Sequence, residues 1–306
     1  MSSSSECVTT LLLVDIQNDF HPGGSLAIPT AHEDSHRVAQ LIRDHSSKIT
    51  RVVATMDSHV KLHIAHPGFW ISGQQQEQQQ LDDGPNKHPD PFTVIESKDI
   101  INGIWKPRSD LKILPGTIEE DIFEMPLEEF TQDDGSLDLY KYAIEYTKRL
   151  EDKGKFKLII WPEHCLIGSK GFCMVDEVHD SLQEWSMTTG GTIEWVLKGE
   201  NLLTESYSAL EAEVPINGKT SLNQKLLDSL KSSDRLLVCG QAMSHCVNYT
   251  LSSIVEQWDR NKLSNITLLT DCASSVPGFE AAGAKFQQDM SQLGVILQKS
   301  SEAFEY

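Results

Sequence analysis

The feature that most constrains this chain is a series of short runs, apolar throughout and rich in β-branched residues, at 8–14, 49–56, 156–160, 192–197, 235–239 and 266–270, with a seventh candidate at 295–298. Runs that do not alternate suit strands buried on both faces of a parallel sheet. Between them, 28–46, 138–150, 176–185, 222–230, 246–259 and 279–292 carry helical periodicity. Alternating elements of this kind define an α/β fold, with helices on both faces of one open sheet. In such sheets ligands bind beyond the carboxyl ends of the strands. The residues just past each run therefore converge, and they are chemically unusual: Asp15, then Asp57 and His59, then Trp161 and His164, then Lys198, then Gly240-Gln241-Ala242 leading to Cys246.

A cysteine opening a helix lies at the positive end of the dipole beside unpaired amides, which favours a lowered pKa and supplies oxyanion donors. Asp15 is placed to take the thiol proton and later return it, with Lys198 stabilising both anions. Taken singly, each has a bland alternative: a turn carboxylate, a surface ammonium, a small core thiol. Asp57-Ser58-His59 with His164 offers an Asp/His/His metal set, and His63 is a candidate fourth ligand. Such a set leaves coordination positions for water or substrate. His66 and His88 fall in loops and read as surface residues.

Composition narrows the partners. Of the 306 residues, 45 are Asp or Glu and 26 Lys or Arg, a net charge of −19 that opposes nucleic acid and anionic membrane surfaces. No run reaches the roughly 18 apolar residues of a membrane span. The polar start Met1-Ser2-Ser3-Ser4-Ser5-Glu6 lacks signal-peptide character, so a cytoplasmic location and six reduced cysteines are expected. Residues 71–155 hold 19 acidic and 10 basic side chains, together with the tract Gln74-Gln75-Gln76-Glu77-Gln78-Gln79-Gln80 and several Pro and Gly turns. We expect one α/β domain over 1–306 interrupted by an acidic insertion at 71–155. That insertion is either a solvated surface or a docking face for a basic partner.

Five ordered segments resemble the nicotinamidase branch of the isochorismatase-like cysteine hydrolases. They are Leu12-Leu13-Val14-Asp15-Ile16-Gln17-Asn18-Asp19-Phe20 with Gly23-Gly24-Ser25-Leu26; Asp57-Ser58-His59 with His63; Trp161-Pro162-Glu163-His164-Cys165; Lys198-Gly199 with Tyr207-Ser208-Ala209; and Gly240-Gln241-Ala242-Met243-Ser244-His245-Cys246-Val247. The resemblance implies a Rossmann-like three-layer sandwich around a mostly parallel sheet of about six strands. It implies an Asp15/Lys198/Cys246 triad and a divalent metal, zinc with iron or manganese as alternatives, on Asp57, His59 and His164. It further implies a cis peptide at Gln241–Ala242 aiming the Ala242 and Cys246 amides at an oxyanion, and Phe20 and Trp161 flanking a heteroaromatic ring whose nitrogen meets the metal. Gln17 would support the polar network beside that substrate. The implied reaction is nicotinamide plus water to nicotinate plus ammonia through a thioester on Cys246.

Departures concern the pocket wall. Met243 and Ser244 stand where these enzymes commonly have Thr and Asp, Ile64-Ala65-His66 replaces an aromatic, and His59 and His164 are spaced 105 positions apart. A family hydrolase acting on another amide or ureide is therefore the second reading, and an inactive scaffold the third. Either enzyme reading predicts a small-molecule amide as partner, with a homo-oligomer left open.

Overall fold

A computed structural model describes residues 7–73, 87–113, 125, 127–154 and 156–305. The tract at 74–80 and the carboxylates Glu119, Glu120, Asp121 and Glu124 lie outside the described residues. In chain order the strands are β1 (Thr9–Val14), β2 (Arg51–Asp57), β3 (Trp70–Ser72), β4 (Val94–Ile95), β5 (Trp105–Pro107), β6 (Leu158–Ile159), β7 (Ile193–Lys198), β8 (Arg235–Gly240), β9 (Ile266–Leu269) and β10 (Ile296–Gln298). The helices are α1 (Ala31–Asp44), α2 (Ser97–Ile101), α3 (Leu139–Lys153), α4 (Asp176–Thr189), α5 (Gln224–Lys231), α6 (Cys246–Glu256) and α7 (Glu280–Leu293).

Six strands form one all-parallel sheet in the order β10-β9-β8-β1-β2-β7. The apolar runs are continuous because both faces are covered. Leu12, Val14, Val53 and Val238 pack on the layer that includes α3, α5, α6 and α7, while Leu11, Leu13, Val52 and Leu237 pack on the layer of α1 and α4. Successive residues of a strand thus enter opposite cores.

One expected strand does not join this sheet. The run at 156–160 yields only β6, which pairs antiparallel with β4 in a separate ribbon. The seventh candidate supplies the edge strand β10. Described residues between 87 and 154 pack on the same apolar core as the sheet, among them Ile100, Phe130, Leu137, Tyr142 and Tyr146. Two side chains of α3 reach the loop after β7: Tyr142 donates to the Leu203 carbonyl at 2.9 Å, and Tyr146 accepts from the Glu205 amide at 2.9 Å. Among the described residues, no helix is long and apolar enough to cross a membrane.

Candidate active site

The carboxyl ends of β1, β2, β7 and β8 meet at one ammonium. Parallel pairing sets Lys198 opposite Asp57, and the Lys198 Nζ lies 2.9 Å from Asp15 Oδ2, 3.0 Å from Asp57 Oδ1, 3.0 Å from the Ser206 carbonyl and 3.4 Å from Cys246 Sγ. All four side chains are buried. Burial alone would pull the Lys198 ammonium down, but Asp15 and Asp57 outweigh it and hold its pKa well above the usual lysine value. Asp15 sits at φ +47° and takes a 2.6 Å hydrogen bond from Thr55 Oγ1. Its carboxyl is raised, because burial and the neighbouring Asp57 outweigh the pull of Lys198 and Thr55.

Cys246 opens α6, as the sequence suggests, yet its thiol is pushed up and not down. Burial is the main cause, and Lys198 offsets it only in part. The Cys246 thiol and the Asp15 carboxyl, both raised, face the same ammonium, a pair suited to proton transfer during attack. The Gln241–Ala242 bond is cis. Its loop is fixed by a buried amide: Gln241 Nε2 donates to Asp34 Oδ2 at 2.9 Å, and Arg37 on the next turn of α1 holds Asp34 Oδ1 at 2.9 Å. The Ala242 and Cys246 amides have no acceptor among the described residues. Gly240 is required here, at φ +120° with a Cβ that would lie 2.0 Å from the Val14 carbonyl oxygen.

Gln17 is placed differently from a substrate contact. Its amide clamps the backbone of Asp57, accepting from the Asp57 amide at 2.7 Å and donating to the Asp57 carbonyl at 2.7 Å. It thereby fixes the end of β2. Phe20 and Trp161 do line a cavity over Cys246, together with His245, Tyr207 and Val276. Trp161 Nε1 donates to the Tyr207 hydroxyl at 2.9 Å.

Beside the ammonium lies a cluster of four histidines. The Nε2 atoms of His59 and His164 are each 3.1 Å from Asp57 Oδ2. Three rings share one second contact: Nδ1 of His59 faces the Gly199 carbonyl at 3.1 Å, that of His164 the Pro162 carbonyl at 2.8 Å, and that of His66 the Lys61 carbonyl at 3.3 Å. A carbonyl at Nδ1 fixes the proton there and leaves Nε2 as a lone pair, the arrangement usual for metal-ligating histidines. His66 is fully buried, its Nε2 has no partner, and burial pushes its pKa to about 3. The expectation that it is a surface residue is therefore wrong, because the loop folds inward onto His59 and His164, and these three rings offer atoms within 4.8 Å of one another.

His63, the candidate fourth ligand, has both nitrogens engaged. Nδ1 accepts from the Ala65 amide at 3.2 Å, and Nε2 faces the Thr204 carbonyl at 3.2 Å. His59, His66 and His164 thus form a group that could hold a divalent ion, with Asp57 Oδ2 beside His59 and His164. The sequence signal for His66 was a surplus of imidazoles, with His59, His63 and His66 in one short loop. Glu205, which shares a possible ligand group with His59 and His63 and lines the cavity, carries no motif at all.

Fold and site together define the class: a three-layer α/β protein with a thiol, a carboxylate and an ammonium buried beside a histidine cluster. No family model matches the chain. The nicotinamidase of Saccharomyces cerevisiae is 23% identical over 248 residues, which cover 81% of each protein. Among solved structures, a nicotinamidase/pyrazinamidase of Acinetobacter baumanii is similar with a TM-score of 0.57 and 20% identity, over 98% of this chain and 99% of that one. The yeast nicotinamidase bound to the inhibitor nicotinaldehyde gives 0.57 and 19%, over 95% and 100%. A pyrazinamidase of Pyrococcus horikoshii in complex with zinc gives 0.51 and 16%, over 95% and 98%. The parallel sheet with helices on both faces is the fold this chain shares with these structures.

Proposed function

We propose that the protein is a metal-dependent cysteine amidohydrolase whose substrate is nicotinamide, converted with water to nicotinate and ammonia. The observation that carries this reading is the single ammonium of Lys198 shared by Asp15, Asp57 and Cys246. Cys246 Sγ attacks the amide carbon as its proton passes to Asp15, and the Ala242 and Cys246 amides receive the developing oxyanion. Collapse of the tetrahedral adduct breaks the C–N bond, Asp15 returns the proton to the leaving nitrogen, and ammonia departs from a thioester. Water then attacks that thioester with Asp15 as base, releasing the carboxylic acid and restoring the thiol. Lys198 stays charged throughout and keeps Asp15 and Cys246 in register. Asp57, His59, His66 and His164 would hold a divalent ion, zinc with iron or manganese as alternatives, which supplies a Lewis-acidic anchor for a ring nitrogen or water.

The curated nicotinamidase relative supports the substrate class, since its similarity extends over most of both chains. We read residues 71–155 as one insertion within a single hydrolase domain, joined to the site through α3. Ammonia release from nicotinamide by metal-replete protein tests the reading. Turnover of a different amide or ureide with none of nicotinamide moves the substrate within the family. No turnover of any amide overturns it.

A further inference from the structure

Ser244 is one of two residues at which the nucleophile loop departs from the pattern it resembles, and its hydroxyl is held from two sides. The Val276 amide donates to Ser244 Oγ at 3.1 Å, and Ser244 Oγ lies 2.9 Å from His245 Nδ1. The amide can only donate. That contact takes one of the two lone pairs of Oγ, and among the described residues the hydroxyl proton has no acceptor other than Nδ1, so it goes to Nδ1, which leaves the ring proton on Nε2. His245 lines the cavity over Cys246, and its Nε2 meets no partner among the described residues. Its ring is caged by Trp161, Tyr207 and Phe279, with centroids 5.1, 5.3 and 4.8 Å away. Burial keeps the imidazole neutral, with its pKa down at about 4.

The ring contacts of His59, His63, His66 and His164 run among themselves and to Phe20. His245 therefore stands on a different wall of the cavity from the metal-ligand cluster. We propose that Ser244 locks His245 as the Nε2–H tautomer, so that His245 is a specificity-determining donor for carboxamides with an acceptor atom on the ring edge away from that cluster. This rests on the amidohydrolase reading for its substrate but not for its tautomer. Such a ring donates and does not accept, so His245 binds substrate and is no base for the attacking water. An Asp at position 244 would reverse the polarity, since a carboxylate accepts from Nδ1–H and turns Nε2 into an acceptor.

The experiment has a spectroscopic arm and a kinetic arm. In ¹H–¹⁵N correlation spectra of the histidine rings at neutral pH, with the signal assigned from His245→Asn, the wild-type protein should carry its proton on Nε2, and Ser244→Asp should move it to Nδ1. A proton on Nδ1 in the wild type overturns the proposal, whatever the protein hydrolyses. The kinetic pair is pyrazine-2-carboxamide, with nitrogens on two opposite ring edges, and nicotinamide, with one. His245→Phe should raise KM for the diazine roughly 2- to 10-fold more than for nicotinamide, the value of one neutral hydrogen bond. Equal changes in KM for the two amides overturn the specificity role. A protein that hydrolyses neither amide overturns the substrate half, and one that hydrolyses no amide at all overturns the amidohydrolase reading as well, while the ring spectra still decide the tautomer.

Discussion

At the residue scale the site is a charge balance around Lys198, and its removal should be costly in two ways. Lys198→Met leaves Asp15 and Asp57 buried without their cation, a change that typically costs about 3–5 kcal/mol. We expect the urea midpoint to fall accordingly and turnover to vanish; an unchanged midpoint would show that the carboxylates are compensated elsewhere. The two unassigned histidines give a sharper contrast. His66→Ala removes the imidazole of the cluster whose buried Nε2 has no partner and should abolish stoichiometric metal in elemental analysis. His63→Ala should keep its metal but lose roughly 1–3 kcal/mol, because the Ala65 amide and Thr204 carbonyl lose their partner. Metal loss in the second variant alone would invert the assignment. That Asp57, His59 and His164 converge was legible because they fall in ordered segments at or just past strand ends. His66 was not, since whether a loop histidine turns inward depends on the distant rings it meets.

At the element scale the strands of the main sheet were legible where burial on both faces made them apolar throughout. β6 misled because its apolar character comes from packing beside β4, a partner more than sixty residues away that no local pattern reveals. The same non-local geometry hides what α3 does. Its periodic face reads as a helix returning to the core, but Tyr142 and Tyr146 also carry hydroxyls to the 203–205 loop, directly before the Ser206 carbonyl that binds Lys198. Tyr146→Phe strands the buried Glu205 amide and should cost about 1–3 kcal/mol. Because that loop steers Lys198, kcat should fall as well. A variant with lowered stability and unchanged kcat would show that α3 supports the fold without tuning the site.

At the scale of the whole molecule, stability in acid is set by two terms of opposite sign. With a net charge of −19 and a pI of 4.9, self-repulsion relaxes as the pH falls from 7 towards 5, which favours the folded state. Buried histidines act the other way. Burial holds His245 down at about 4 and lowers His21 as well, whereas in the unfolded chain both take a proton near 6.5. Between those values the unfolded state binds more protons, so stability is lost as the pH falls through about 6.5, and for His245 the loss is complete below about 4. A spread of that size amounts to roughly 3 kcal/mol for His245 alone. His66 adds to this only in metal-free protein, since a bound ion keeps its ring neutral. Salt separates the two terms: at 0.5 M the Debye length is only about 4 Å, which screens surface repulsion but not a buried imidazole. We therefore expect urea midpoints at high salt to decline steadily from pH 6.5 to 4.5, and at low salt to decline less over the same range. His245→Phe should flatten the high-salt curve in proportion to its share, and a wild-type curve already flat at high salt would refute the buried, neutral assignment of His245.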